Sequence, residues 1–152
     1  MCYPSVSVII PTYHDWERLR LCLHALSQQT YPDNKFEIII INNDPDDSCP
    51  LVEIPSNSQL IFEKKRGSYA ARNKGLKLAK GKVIAFTDSD CIPEIDWLEQ
   101  GVINLFNTEN CGLVAGKINI FLKDANNPTP VEIYEAITAF PQKKYIEKEH
   151  FG

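Results

Sequence analysis

Long hydrophobic runs are missing from this chain. The longest near-apolar stretch is Phe36 to Ile41, and Glu37 interrupts it. A membrane-spanning helix needs roughly 20 apolar residues, so none is expected. The N-terminus, Met1-Cys2-Tyr3-Pro4, lacks a basic region leading into an apolar one, so no secretion signal is expected. Cysteine pairs are missing too. The five cysteines, Cys2, Cys22, Cys49, Cys91 and Cys111, include no CxxC. That pattern argues against a disulfide framework and a structural zinc, and for reduced, mostly buried thiols in a cytoplasmic protein. Neither a GxGxxG turn nor a GxxxxGKS/T loop occurs. A dinucleotide site of the Rossmann type and a P-loop are thereby removed. No internal repeat and no long linker stand out.

What remains is an ordinary globular composition. The 152 residues are 43% apolar and 24% charged, enough for one domain with a real core. The net charge of −4 hides an asymmetry. Lys64 to Lys82 holds eight basic residues and no acidic one, against eight basic and twenty acidic elsewhere. The chain is not built globally for nucleic acid, but one segment is locally cationic.

Apolar periodicity orders the elements. Val6 to Ile10 reads as a buried strand ended by Pro11. A helix follows over about residues 15–29, with Trp16, Leu19, Leu23 and Leu26 on one face and Asp15 at its start. Phe36 to Ile41 is a second strand, Leu60-Ile61-Phe62 a short third. A helix from about Ser68 to Lys80 presents a narrow small-residue face and is stopped by Gly81. Val83 to Phe86 is the fourth strand. A helix after Pro93 carries Leu98, Val102 and Leu105, and Leu113-Val114-Ala115 is a fifth strand. Val131 to Phe140 is a weaker helix. Strands alternating with helices predict an α/β domain with a mostly parallel sheet flanked by helices.

In such sheets ligands bind beyond the carboxyl ends of the strands. Three polar clusters fall there: Pro11-Thr12-Tyr13, Asn42-Asn43-Asp44 and Asp88-Ser89-Asp90. Two carboxylates one residue apart repel each other unless a cation intervenes, and a divalent ion with oxygen ligands is the natural solution. An acidic turn capping the next helix is the plain alternative. Lys64, Lys65 and Arg66 precede a helix start, where anions are attracted. Lys74, Lys77, Lys80 and Lys82 read as a solvated face, leaving Arg66 and Arg72 as the functional cations. Trp16 and Trp97 read as helix packing, and Cys91 as a small buried side chain.

The residues also resemble a known family. Val6 through Tyr13, Leu26 through Tyr31, Glu37 through Asn43, Arg66-Gly67 with Ala71-Arg72-Asn73-Lys74-Gly75, and Ile84 through Pro93 are similar, in that order, to blocks of family 2 glycosyltransferases. Asp96-Trp97-Leu98 resembles the helix start that follows. The blocks span residues 5 to about 98. The resemblance implies a GT-A fold and an inverting transfer of sugar from a nucleotide-diphosphate donor to an acceptor hydroxyl.

It also implies roles. Pro11, Thr12 and Tyr13 would line the base and ribose pocket. Asn42 and Asn43 stand where the family has an Asp that bonds the base. Arg66, Arg72 and Asn73 would lie near the nucleotide, with Ser89 between Asp88 and Asp90. Asp90, with Asp88, would hold Mn²⁺ or Mg²⁺, which acts as a Lewis acid on the diphosphate. The implied acceptor is a carbohydrate or glycolipid, at most peripherally associated with the inner face of a membrane, and nucleic acid is not a partner. Residues 1–98 would form the nucleotide-binding core and residues 99–152 the incomplete start of the acceptor side. The Gly-Gly-Phe-Asp-like stretch that precedes the family's general base is not found. Glu132, Glu135, Glu147 and Glu149 sit in no matching motif, so no base is assigned. The alternative reading is a truncated binding fragment without transfer activity.

Overall fold

The structure, a computed structural model, describes residues 3–44, 46–47, 54–122 and 124–139. The chain divides into two compact units, Met1–Val114 and Ala115–Gly152.

The first unit is built on β1 (Val6–Thr12) and β2 (Phe36–Asn42), each seven residues long. Alternate side chains of a strand point to opposite sheet faces, so a strand covered on both faces must be apolar throughout. Ile38, Ile39, Ile40 and Ile41 are all fully buried. Burying each such side chain is worth about 2 kcal/mol. Two further strands, β3 (Ser58–Phe62) and β4 (Val83–Phe86), complete a sheet of order β3-β2-β1-β4. Every pairing is parallel, with Val6 opposite Phe36 and Val83, and Ile38 opposite Ser58.

Helices cover both faces. One face carries Val6, Val8, Ile10, Ile38 and Ile40 against Leu19, Cys22, Leu23 and Leu26 of α1 (Trp16–Ser27) and Leu98 of α3 (Trp97–Asn107). Trp16 and Trp97 pack on this cluster, as expected. The other face carries Ile9, Ile39 and Ile41 against Ala71, Leu78 and Ala79, in or just after α2 (Ser68–Leu78). Small residues let α2 sit close: a Cβ on Gly75 would lie 2.5 Å from Ile9 Cγ2.

A polar clip closes the amino-terminal edge of the sheet. The fully buried Ser7 donates through Oγ to Glu37 Oε1 (2.7 Å) and accepts from Lys80 N (3.1 Å) and Gly81 N (2.8 Å). Gly81 therefore has a different role from a left-handed helix stop. The cap residue of α2 is Ala79, and Gly67 is the described glycine with positive φ. Gly81 is needed because a Cβ there would meet Ser7 N at 2.4 Å and Val6 C at 2.6 Å.

Two other expectations are corrected. Leu113-Val114-Ala115 forms no strand, and Leu113 is 85% exposed. A short apolar run becomes a strand only beside a ladder it can join, and no described strand pairs with it. Strand β1 does not end before Pro11 but runs through it. Pro11 lies on the side of β1 that faces β4, two residues after Ile9, whose carbonyl accepts from Thr87 N (3.3 Å). The β1–β4 ladder stops at Ile9 and Phe86. The missing proline N–H thus falls where β4 has already left, and no bond is lost.

In the second unit, α4 (Pro130–Thr138) has a reciprocal capping box between Thr129 and Glu132, with Pro130 at its first turn. Phe140, Glu147, Glu149, Cys2 and Cys49 lie outside the described residues.

Candidate functional site

Chain order fixes where a ligand can sit. Strands β1, β2 and β3 progress to one side, and β4 returns to the other side of β1. The order reverses between β1 and β4, and open α/β sheets bind ligands at that crevice. A cleft of about 290 Å³ lies there. Its walls are Pro11 and Thr12 from β1, Tyr13 just after it, Asn43 after β2, Ser68 and Arg72 from α2, and Asp88, Ser89 and Asp90 after β4.

The walls differ in charge. Helix α2 has Gly67 as its N-cap and no side-chain cap; Ala70 N and Ala71 N turn back to Gly67 O (2.9 and 3.2 Å), which leaves the amides of Ser68 and Tyr69 for another partner. Arg72, one turn in, donates from Nη2 to Asp88 Oδ1. Asp90 is half exposed, with Arg18 Nη1 3.7 Å away. Arg18 is engaged more closely by Asp15, at 2.8 Å from Nε, which raises its pKa. Asp15 thus binds Arg18 and does not cap α1 with its side chain.

Two loops are tied together at the rim. His14 takes a left-handed backbone, φ 52°, that His, Asn and Asp tolerate better than most residues. Its Nε2 lies 2.9 Å from Asp44 Oδ2, and Asp47 accepts from Trp16 Nε1 at 2.6 Å. Tyr13 packs edge-on against His14 and is 55% exposed, so it is a rim residue and not a core aromatic.

Asn43 anchors the far wall. Its Nδ2 donates to the carbonyls of Glu63 (2.9 Å) and Lys65 (2.8 Å), and its Oδ1 accepts from Gly67 N (2.7 Å). Asn42 is fully buried and does not line the cleft; its Oδ1 accepts from Asp44 N (3.0 Å). Arg66 and Asn73 are exposed and also stand outside the lining. Ser68 was not among the expected site residues; its place at an uncapped helix start was the available signal. Cys91 is half-buried, not buried, while burial of Cys22 pushes its thiol up to about 12.

Beside the cleft, one buried polar group has nothing to bind among the described residues. Thr12 Oγ1 is buried, with no hydrogen-bond partner among the described residues. Asn42 Nδ2 is in the same state, and Asn42 pairs with Thr12 in the sheet register. Unsatisfied buried groups at adjacent strand ends are uncommon and call for an explanation.

The sequence model described as glycosyl transferase family 2 matches residues 7–151. The chain belongs to that family. It is 36% identical over 153 residues to the glycosyltransferase AglE of Haloferax volcanii, covering 97% of this chain and 49% of that protein. It is 35% identical over 152 residues to the uncharacterized glycosyltransferase YfnE of Bacillus subtilis, covering 95% and 38%. The chain thus spans half or less of the length of these family members.

Solved structures agree on the fold. Residues 1–349 of S. aureus TarS superpose with a TM-score of 0.60 at 23% identity, over 68% of this chain and 32% of that one. The mannosyltransferase PcManGT of Pyrobaculum calidifontis, solved with GDP-Man and Mn²⁺, gives 0.52 at 26% identity, over 61% and 29%. The parallel sheet flanked by helices is therefore the GT-A arrangement of this family.

Proposed function

We propose that the cleft binds a nucleotide-diphosphate sugar together with a divalent cation, in an enzyme that transfers the sugar with inversion to a carbohydrate or glycolipid hydroxyl. The observation that carries this reading is one cleft that joins an uncapped helix start and Arg72 to the Asp88 and Asp90 carboxylates. Cationic and amide groups suit a diphosphate, and the carboxylates suit a metal.

The donor set fits such an ion. Among the described residues no group of three His, Cys, Asp or Glu forms a cage. Mg²⁺ and Mn²⁺ bound through one or two carboxylates keep positions for phosphate oxygens and water. Asp90 and Asp88 would hold the ion, which supplies Lewis-acid stabilisation of the diphosphate. Arg72 would shift between Asp88 and a phosphate oxygen. Thr12 Oγ1 and Tyr13 would meet the nucleoside portion. Glu132 is not an attractive base, because its carboxylate accepts from Thr129 N (2.8 Å) and Oγ1 (2.7 Å). A glycolipid acceptor would place the enzyme peripherally at the inner face of a membrane.

Calorimetry with UDP-, GDP- and dTDP-sugars in the presence of Mn²⁺ tests the reading. One donor should bind, and Asp90→Ala should weaken it at least ten-fold. If no donor binds with metal present, or Asp90→Ala changes nothing, the assignment of the cleft fails.

A further inference from the structure

The cleft uses one of the eight cations in residues 64–82. Arg72 is paired with Asp88, and among the described residues none of the other seven makes an ion pair. No acidic residue interrupts the segment. Helix α2 turns Ala71 and Gly75 toward the sheet and leaves Tyr69, Asn73, Leu76 and Lys77 on the opposite stripe. The helix ends at Leu78, and Lys80 and Lys82 follow in the connection to β4. Tyr69 is 61% exposed and Leu76 43% exposed. Lys65 Nζ stands 5.8 Å from the Tyr69 ring centroid.

We propose that this outer face of α2, with the loop from Lys64 to Arg66, docks on an anionic lipid bilayer. The proposal deepens the membrane placement in the reading above and names its surface. Charge complementarity selects an anionic partner. The apolar pair selects a bilayer over a nucleic acid, because Tyr69 and Leu76 can enter the interface while lysine stems lie along it. Tyrosine suits that depth, with an apolar ring and a wet hydroxyl. Each lysine near such a surface contributes independently, and the attraction fades within a Debye length. The first turn of α2 lines the cleft, and the helix is about 16 Å long at 1.5 Å per residue. Docking would hold the donor cleft within that distance of lipid-linked hydroxyls.

The test is sedimentation of the whole chain with phosphatidylcholine vesicles, with and without phosphatidylglycerol, and retention of poly-U RNA at the same low salt. The chain should sediment only with the phosphatidylglycerol vesicles and be released by salt. Lys64→Gln with Lys77→Gln should weaken vesicle binding roughly five-fold per lysine. Tyr69→Ala and Leu76→Ala should weaken it further. No sedimentation at low salt, binding indifferent to the lysine pair, or equally tight retention of RNA would overturn the proposal. Donor calorimetry on the same proteins separates the two readings. Vesicle binding without donor binding overturns only the cleft assignment, and donor binding without vesicle binding overturns only the docking surface.

Discussion

The unpartnered hydroxyl of Thr12 offers a test in which stability and binding move in opposite directions. Thr12 is 3% exposed, and its Oγ1 has no partner among the described residues. A buried hydroxyl left unsatisfied costs about 1–3 kcal/mol, and replacing it with a shape-matched apolar group removes that cost. Thr12→Val keeps the β-branched shape a strand prefers and puts a methyl in place of the hydroxyl. Burying that methyl adds about 0.8 kcal/mol. The ligand-free protein should therefore gain about 2 kcal/mol. With a urea m-value of about 2 kcal/mol/M, the midpoint should rise by about 1 M with m unchanged. Donor binding should fall at the same time. A hydrogen bond worth about 1 kcal/mol corresponds to roughly five-fold in Kd. Urea unfolding followed by intrinsic fluorescence gives the first number, and calorimetry with donor and Mn²⁺ the second. If Thr12→Val is less stable than the parent while donor affinity is unchanged, the hydroxyl is already satisfied in the free protein. The inference that the cleft holds an awaiting partner would then be wrong.

Gly81→Ala should destabilise by about 3 kcal/mol in urea unfolding, because the new Cβ would strike backbone atoms and loosen the bonds to Ser7. Gly101→Ala, with nothing within 4 Å in the middle of α3, should be neutral or stabilising by up to about 1 kcal/mol, and equal effects at the two glycines would refute the packing argument. Cys22 should resist thiol reagents at pH 8 until the protein unfolds. Its pKa is raised from 9.0 to about 12 in the fold, so its contribution to stability is complete below pH 9.0 and lost as pH rises toward 12. The slope would be about 1.4 kcal/mol per pH unit, and Cys22→Ala should flatten it by that amount.

The central strands were legible because a parallel strand buried on both faces needs an unbroken apolar run, and few other structures do. The cleft was legible for a related reason. Once the sheet is parallel, the residues after β1, β2 and β4 must share one edge, whatever their spacing in sequence. Legibility ended where a role depends on contact between distant segments. Gly81 reads locally as a helix stop, yet what fixes it is the backbone at Ser7, 74 residues away. Leu113 to Ala115 has the composition of a strand, but composition does not supply a neighbour. Ser68 joins the cleft through the uncapped start of α2; the helix start is readable in the sequence, but its place beside the ends of β1 and β4 depends on the packing of α2 on the sheet.

Asn43 shows the same limit and leads to the last prediction. Resemblance alone makes it an amide standing in for a carboxylate that reads the base. Its geometry shows a second reason for the amide. Two donors are used on the carbonyls of Glu63 and Lys65, and the oxygen is used on Gly67 N. Both carbonyl contacts demand a donor, and an ionised carboxylate has none. Asn43→Asp would keep the bond from Gly67 and set a charged oxygen against two carbonyls at under 3 Å. Two lost hydrogen bonds at about 1 kcal/mol each, plus the cost of leaving buried oxygens opposed, give about 3 kcal/mol of destabilisation. The penalty should shrink at acidic pH, where a protonated Asp regains one donor. The loop from Glu63 to Gly67 should loosen along with it, exposing the start of α2 to faster amide exchange. Stability and exchange at Ala70 and Ala71, whose amides donate to Gly67 O, measured at neutral and acidic pH, would check both points. An Asn43→Asp protein with unchanged stability across that range would show that the amide is no clamp. The departure from the family's carboxylate would then have to be explained by the ligand alone.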